Sequence, residues 1–242
     1  MALHLYGIVD AETSLPDDLV GRADAPVRTV ADEGLAVLVS DVDEDRRVGR
    51  SDLLAHAHVL ERLAETSTVL PIRFGMLMPD EDTVRVELLG PQGEHSAALL
   101  RAFAGHVQLT VTTRYDEDEA LREVLRRDPE LREAGAASDL AARMRVGEAV
   151  AAGLEELRVD DADRVLQRLA PHARAVAFNE VRDAYTVSSV ALLVDRDLRS
   201  ALDVAVADLR DELGPRIQVR YVGPQPPYAF LDSVETEASA WA

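Results

Sequence analysis

The stretch Val107-Gln-Leu-Thr-Val-Thr-Thr-Arg-Tyr115 alternates apolar and polar side chains, which is typical of a half-buried β-strand. A helical segment follows over Asp116–Arg127, with acidic residues in its first turn and basic residues in its last, as the helix dipole favours. The later elements are indicated as two strands, a helix and a strand: Ala173–Val181, Thr186–Val194, Leu198–Leu213 and Ile217–Val222. The second half therefore predicts the order β-α-β-β-α-β, the ferredoxin-like pattern.

The first half of the chain repeats this element order, without a clear repeat of sequence. A helix begins at Ser51, and its Leu53, Ala57, Leu60 and Ala64 are predicted to form one apolar face. The other elements indicated there are four strands and one short helix: Leu3–Val9, Leu15–Arg22 (the helix), Val27–Val30, Leu35–Val39 and Val69–Phe74. The chain is thus predicted to be an α+β protein with two ferredoxin-like (βαββαβ) domains in tandem, joined by a helical connector.

This order predicts four segments along the chain. They are an N-terminal ferredoxin-like domain, a helical connector, a C-terminal ferredoxin-like domain with an extra helix, and a proline-rich strap and tail: residues 1–78, 79–105, 106–224 and 225–242. The connector is expected to break near Gly90–Gly93. The extra helical region is expected to break near Asp160.

The composition limits the classes of function. Acidic residues outnumber basic ones by 45 to 26, for a net charge of −19, and this disfavours nucleic-acid binding because phosphates would be repelled. The absence of cysteine excludes disulfides, thiolate catalysis and iron–sulfur clusters. The sequence has neither a signal-peptide pattern nor an uninterrupted apolar run of about 18 residues, so we expect a cytoplasmic protein without a membrane span.

The sequence gives no indication of an active site. It contains no glycine-rich phosphate loop and no nucleophile-elbow motif, and its remaining histidines are scattered. His56 and His58 lie two positions apart on a helix and point away from each other, so one metal ion cannot bind both. We expect one of them at the edge of the core and the other in solvent. The prediction is therefore a protein that is not an enzyme and that has no metal and no cofactor.

One unusual segment is Val69-Leu-Pro-Ile-Arg-Phe-Gly75, which places a proline and an arginine in an apolar strand. Because proline lacks a backbone N–H, Pro71 predicts an edge strand or a bulge. Arg73 and Phe74, next to Gly75, would then present a charge and a ring to a partner. The alternative is an edge strand in which the arginine forms a structural salt bridge.

A second unusual segment is Gly223-Pro-Gln-Pro-Pro-Tyr-Ala-Phe230, after the last predicted strand. Its prolines favour an extended path, and Tyr228 and Phe230 provide apolar anchors. The segment is predicted to be a strap across the core, a rigid docking element, or both.

Together these two segments resemble the signature segments of the gas vesicle protein F/L family. That family carries V-L-P-x-R-F-G after a helix and G-P-x-P-P-Y-x-F near its C-terminus. Three further stretches look like the family in the same order: Leu5–Val9, His56–Glu61 and Leu192–Arg196. The resemblance covers nearly the whole chain and leaves open whether the protein is of the F or the L type.

The resemblance implies an accessory protein of gas vesicle formation that is not known for catalysis and has ferredoxin-like domains. It implies association with the hydrophobic shell protein GvpA, with other accessory proteins and with the vesicle, as an assembly factor or also as a minor component. On this basis the expected partner-binding residues are those singled out above: Pro71, Arg73, Phe74, Gly75, Tyr228 and Phe230.

Two other functions are consistent with tandem ferredoxin-like domains. One is a regulatory protein that binds a small molecule, which predicts a pocket with convergent polar groups. The other is a haem protein, by analogy of fold alone, for which His172 is the axial ligand to test. Neither function explains the two proline-containing segments.

Overall fold

The computed structural model describes residues 1–43, 45, 47–134, 140–181, 183 and 185–231, with the backbone alone for residues 132–134. The chain divides into two compact units. Unit 1 comprises Met1–Leu109, Asp195–Asp197 and the chain from Gly223 onward, and unit 2 comprises Thr110–Val194 and Leu198–Val222. The sequence-based prediction of an α+β protein with two sheets is confirmed.

The sheet of unit 1 is antiparallel and has the strand order β2-β3-β1-β4, with β5 also paired to β1. The bounds of β1 to β5 are Ala2–Asp10, Arg28–Asp32, Leu35–Val42, Leu70–Pro71 and Leu77–Met78. Strand β1 is buried along almost its whole length, because it lies between β3 on one side and β4 and β5 on the other. A register shift between Leu5 and Gly7 interrupts its pairing with β3.

The predicted helix over Leu15–Arg22 is wrong, since only Arg22–Asp24 forms a short 3-10 turn there. The segment instead makes local turns and an isolated bridge between Val20 and Pro26. The backbone N–H of Arg22 donates to the Tyr6 hydroxyl at 2.8 Å. Tertiary hydrogen bonds of this kind replace the ones that a helix would have formed.

Helix α1, Arg50–Ala64, buries a different face from the one predicted. Leu60 and Ala64 are buried as expected, whereas Leu53 is exposed. Asp52 and His56 take its place on the buried face, next to Val59 and Leu63. The predicted face was chosen from apolar residues alone, while Asp52 and His56 are buried because they have buried partners.

The helical region after β5 is continuous, and the predicted break near Gly90–Gly93 is wrong. It consists of α2, a π-helical turn and α3: Glu81–Thr83, Val84–Leu89 and Gly90–Ala102. The wider π turn precedes Pro91 and accommodates a residue that would otherwise disrupt an α-helical turn. Buried Leu88, Leu89, Leu99 and Leu100 show that this region contributes to the core of unit 1.

The sheet that lies mainly in unit 2 has the order β7-β8-β6-β9. The bounds of β6 to β9 are His106–Tyr115, Ala175–Phe178, Thr186–Asp195 and Ile217–Gln225. The helices α4 to α7 are Glu117–Arg127, Pro129–Ala134, Leu140–Leu169 and Arg199–Leu213. As in unit 1, the first strand of the series lies between the third and the last, and the second lies at an edge.

Helix α6 runs without interruption through the predicted break near Asp160, so that prediction is wrong as well. Asp160 accepts a hydrogen bond from Arg127 Nη1 at 3.0 Å, and Asp161 is fully buried. The carboxylate of Asp161 accepts from the Tyr115 hydroxyl at 2.8 Å and from Arg216 Nη2 at 2.7 Å. These contacts explain why the helix tolerates two adjacent acidic residues, since each carboxylate has a basic partner.

Among the helices of the described ranges, none is both long enough and apolar enough to cross a membrane. The four segments predicted from the sequence, with limits at residues 78, 105 and 224, stay a prediction. Residues 232–242 of the predicted tail lie outside the described part of the chain.

Candidate functional site

The segment Val69–Gly75 belongs to a broken edge strand of unit 1. Only Leu70–Pro71 and Leu77–Met78 pair with β1, rather than the continuous strand that was predicted over Val69–Phe74. Between them, Ile72 N donates to Tyr6 O at 2.8 Å and Leu5 N donates to Met76 O at 3.2 Å. The prediction that Pro71 marks an edge or a bulge is confirmed.

The residues of the break divide into exposed and packed ones. Arg73 and Gly75 are exposed, and Gly75 has a φ of 94°, which only glycine adopts without strain. Phe74 is partly buried, and its ring lies against His4 and His56 with centroid distances of 5.6 and 5.4 Å. The site residue Arg73 is therefore presented at the surface, whereas Phe74 anchors the segment.

Two buried histidines lie next to this segment. His4 Nε2 is 3.0 Å from His56 Nδ1, and His56 Nε2 is 3.1 Å from the carbonyl oxygen of Ile72. A carbonyl only accepts, so His56 Nε2 donates to Ile72. The neutral His56 ring then accepts at Nδ1 from His4 Nε2, whereas His4 donates from Nε2 in either of its protonation states. In the neutral His4 ring, Nδ1 is a buried acceptor without a partner among the described residues.

The surroundings favour the neutral form of both rings. Burial lowers the pKa of His4 to about 3, and the charges of His56 and Arg22 act in the same direction, while Asp52 opposes them. Burial also lowers the pKa of His56, against the effect of its hydrogen bond to Ile72. Arg22 Nε lies 3.3 Å from Asp52 Oδ1 in a buried ion pair, so α1 carries two polar contacts into the core of unit 1.

The expectation for His56 and His58 is confirmed, because His56 is 4% exposed and His58 lies in solvent. Sequence reasoning missed His4, which the structure brings to His56. The only signal in the sequence was a histidine between Leu3 and Leu5 within an apolar strand. That pattern places the ring on a buried face without identifying its partner.

The second segment, Gly223–Phe230, also belongs to unit 1. Gly223 packs so closely on β6 that a Cβ atom would lie 2.6 Å from Leu109 Cδ2 and 2.9 Å from Gln108 O. Further along, Ala229 N donates to Gln108 Oε1 at 2.8 Å, and Phe230 is buried. The segment is thus attached to the core at both ends.

Tyr228 is the exposed member of this strap. Its side chain is 45% exposed, in contrast to Phe230 at 4%. Partial burial raises the pKa of Tyr228 to about 12, and the negative charge of Glu61 adds to the effect. Both signature segments therefore approach α1, one at His56 and the other near Glu61.

The described residues contain no group of three or more histidine, aspartate or glutamate side chains that could hold a metal ion. His172, the residue considered for haem, lies in the 3-10 turn Ala170–His172 and is partly exposed. The haem and small-molecule alternatives both remain predictions.

The chain is similar to known proteins over nearly its whole length. A family model described as gas vesicle synthesis protein GvpL/GvpF matches residues 2–232. Gas vesicle protein F of Streptomyces sp. (strain CB03234) is 34% identical over 241 residues, with 96% of this chain and 100% of the relative covered.

The crystal structures of GvpF from Anabaena sp. PCC7120 and from Microcystis aeruginosa are similar in fold, with TM-scores of 0.80 and 0.76. Their sequence identities are 23% and 22%, and each alignment covers 95% of this chain and 98% of the other. At these identities the two structures support the fold alone.

Proposed function

Because the chain belongs to the family of gas vesicle synthesis proteins GvpL/GvpF, we propose that it assists vesicle assembly by binding the hydrophobic shell protein GvpA. An apolar shell subunit tends to aggregate before it is assembled. A partner with a net charge of −19 would keep the complex dispersed by charge repulsion. The protein then acts as a chaperone-like assembly factor and not as an enzyme.

The observation that carries this proposal is the exposed surface at the break in the edge strand. The side chain of Arg73 makes no ion pair or hydrogen bond with any residue that the structure describes. Met76 and Leu77, which follow it, are 42% and 41% exposed. A cation beside two exposed apolar side chains suits a partner that offers both an apolar surface and a carboxylate.

Phe74 supports this contact indirectly, because it packs on the histidine pair and fixes the position of Arg73. On the strap, Tyr228 is the residue proposed to contact the shell protein or another accessory protein, while Phe230 holds the strap in place. We further propose that the protein acts in the cytoplasm and is associated with the vesicle, as an assembly factor or also as a minor component.

Both sheets support the finer proposal that each unit is a variant of the ferredoxin-like domain. Each has its first strand between the third and the last, and the second strand at an edge. Unit 1 lacks the helix between its first two strands, where the 3-10 turn Arg22–Asp24 stands instead. Unit 2 has additional helices between β6 and β7.

Co-purification of the tagged full chain with the shell protein tests the proposal. We expect the wild type to keep the shell protein in solution and Arg73→Glu to lose this ability while remaining folded. Arg143→Glu is the matched control, because Arg143 is an exposed arginine on α6 and the charge change is the same.

The outcomes distinguish the proposed binding of the shell protein from the proposed contact at Arg73. A wild type that retains no shell protein would show that GvpA is not the partner. Equal retention by the wild type and by Arg73→Glu would show that the contact lies elsewhere on the surface.

A further inference from the structure

A cavity of about 590 Å³ lies in unit 1, and none of the residues that line it belongs to β4 or β5. It is lined by the β2–β3 hairpin, the residues after α1, the C-terminal end of α3 and Arg196. Its volume is within the range of pockets that bind small organic molecules. Neither signature segment lines it.

Arg196 extends its guanidinium group into the wall of this cavity. Its Nη2 donates to Ser67 O at 3.0 Å and to Ala64 O at 3.3 Å, which fixes the group at the end of α1. Its Nε is buried and has no acceptor among the residues that the structure describes. The group is therefore held in place through Nη2, and its Nη1 forms no hydrogen bond with the residues that the structure describes.

The charge of Arg196 is not neutralised locally. Within the described ranges, no carboxylate lies within ion-pair distance of its guanidinium group. Burial lowers the pKa of Arg196, opposed only by the neighbouring Asp197. A partly buried cation without a counter-ion is unfavourable, and an anionic ligand would compensate it.

A second cation lines the same cavity. Arg101, near the end of α3, likewise forms no ion pair with any described residue. Thr66 and Ser67 also line the cavity, and their hydroxyl groups form no hydrogen bonds within the described part of the chain. Two arginines and two free hydroxyls are the groups that proteins use to bind oxyanions.

The carboxylates of the cavity lie on the hairpin side. Glu33 is in the turn between β2 and β3, and Asp10, the last residue of β1, pairs with Leu35 of β3. Both are exposed to solvent, and Asp10 Oδ1 accepts a hydrogen bond from Glu12 N at 2.9 Å. The cavity is thus acidic at one rim and basic at the other, which orients the anionic end of a ligand toward the arginines.

We propose that this cavity binds a small organic oxyanion, a carboxylate or a phosphate ester, through the guanidinium groups of Arg101 and Arg196 and the hydroxyls of Thr66 and Ser67. This site is independent of the shell-protein contact. The chain carries a net charge of −19, so anion binding requires a local concentration of positive charge such as this one.

Isothermal titration calorimetry of the full chain with succinate and with glycerol phosphate, at constant ionic strength, tests the proposal and separates the two sources of the oxyanion. We expect saturable one-to-one binding of at least one of them. Arg101→Gln should weaken it about tenfold, as expected for the loss of a charge-assisted hydrogen bond. Arg101 is exposed, so its replacement should not affect folding.

Arg196→Gln provides the second variant, with its fold checked by circular dichroism because Arg196 also binds Ala64 O and Ser67 O. Arg62→Gln is the control, since Arg62 makes its ion pairs with Asp18 and Glu65 and does not line the cavity. The proposal is overturned if neither compound binds saturably, or if Arg101→Gln and Arg62→Gln bind with equal affinity.

Discussion

His4 Nε2 lies 3.0 Å from His56 Nδ1, and this hydrogen bond joins β1 to α1 next to the segment that carries Arg73. The chain of donors runs in one direction, from His4 through His56 to the carbonyl oxygen of Ile72. Adding a proton to His4 places a charge in the core of unit 1, close to the guanidinium group of Arg22. The stability of unit 1 is therefore linked to pH.

The first prediction concerns this pH dependence. The pKa of His4 is about 3 in the folded state against 6.5 ordinarily, so the unfolded chain binds more protons between these values. The free energy of unfolding should therefore be highest above pH 6.5 and fall as the pH is lowered toward 3. Each such histidine adds a slope of up to about 1.4 kcal/mol per pH unit. Urea unfolding between about pH 7.5 and about pH 5 measures it.

Carboxylates also titrate at low pH, so the contribution of His4 is obtained as the difference between the pH slopes of the wild type and of a variant without this histidine. His4→Gln should reduce the slope relative to the wild type, because glutamine does not titrate. His58→Gln, on the exposed side of the same helix, should leave the slope unchanged. Identical slopes for the wild type and His4→Gln would contradict the neutral pair.

The second prediction separates Arg73 from its neighbour Phe74. Arg73→Glu should change the free energy of unfolding by less than about 0.5 kcal/mol, because Arg73 is exposed. Phe74→Ala should lower it by about 1–3 kcal/mol, because the ring packs on His4 and His56. Chemical denaturation of both variants measures the difference. Equal losses would show that Arg73 has a structural role.

The third prediction concerns the close approach of Gly223 to β6. Gly223→Ala should destabilise unit 1 by about 1–3 kcal/mol, because the new Cβ would meet Leu109 and Gln108 and because φ is 138°. Thermal unfolding measures the loss. Gly147→Ala on α6 is the control, since a Cβ there meets open space and should add about 0.5–1 kcal/mol of stability. A Gly223→Ala variant as stable as the wild type would show that the backbone at Gly223 can move away from β6 at little cost in free energy.

The fourth prediction compares two adjacent carboxylates of α6. Asp161→Asn should destabilise unit 2 by about 3 kcal/mol, because it removes the fully buried carboxylate charge that binds Arg216 Nη2 at 2.7 Å and weakens the bond from Tyr115. Asp160→Asn removes only an exposed pair with Arg127 and should cost less than about 1 kcal/mol. Unfolding in urea, followed by circular dichroism, tests whether the first loss exceeds the second.

The element order of unit 2 could be predicted because its strands alternate or are apolar and its helices have clear ends. Asp116, for example, accepts a hydrogen bond from Glu119 N at the start of α4, as a capping residue does. The helix predicted at Leu15–Arg22 failed because its apolar spacing says nothing about the tertiary bond between Arg22 and Tyr6. The local sequence pattern predicted a helix correctly only where no residue distant in the sequence forms hydrogen bonds that compete with those of the helix.

The candidate site could be predicted only in part. Pro71 indicates the edge strand by its missing N–H, so the position of the break follows from chemistry that is visible in the sequence. The histidine pair cannot be predicted from the sequence in this way. His4 and His56 are 52 positions apart, and their pairing depends on the packing of α1 on β1. The same holds for Arg196, whose partners Ala64 and Ser67 lie more than a hundred residues earlier in the chain.

The broken edge strand also limits how the sheet of unit 1 can be extended by another chain. Leu70–Pro71 and Leu77–Met78 each offer only two consecutive residues for pairing, and Pro71 offers no donor. A foreign strand therefore cannot form a continuous ladder along this side, which is how natural sheets avoid joining edge to edge. A protein that holds an aggregation-prone subunit at this edge would thereby be protected from co-aggregating with it.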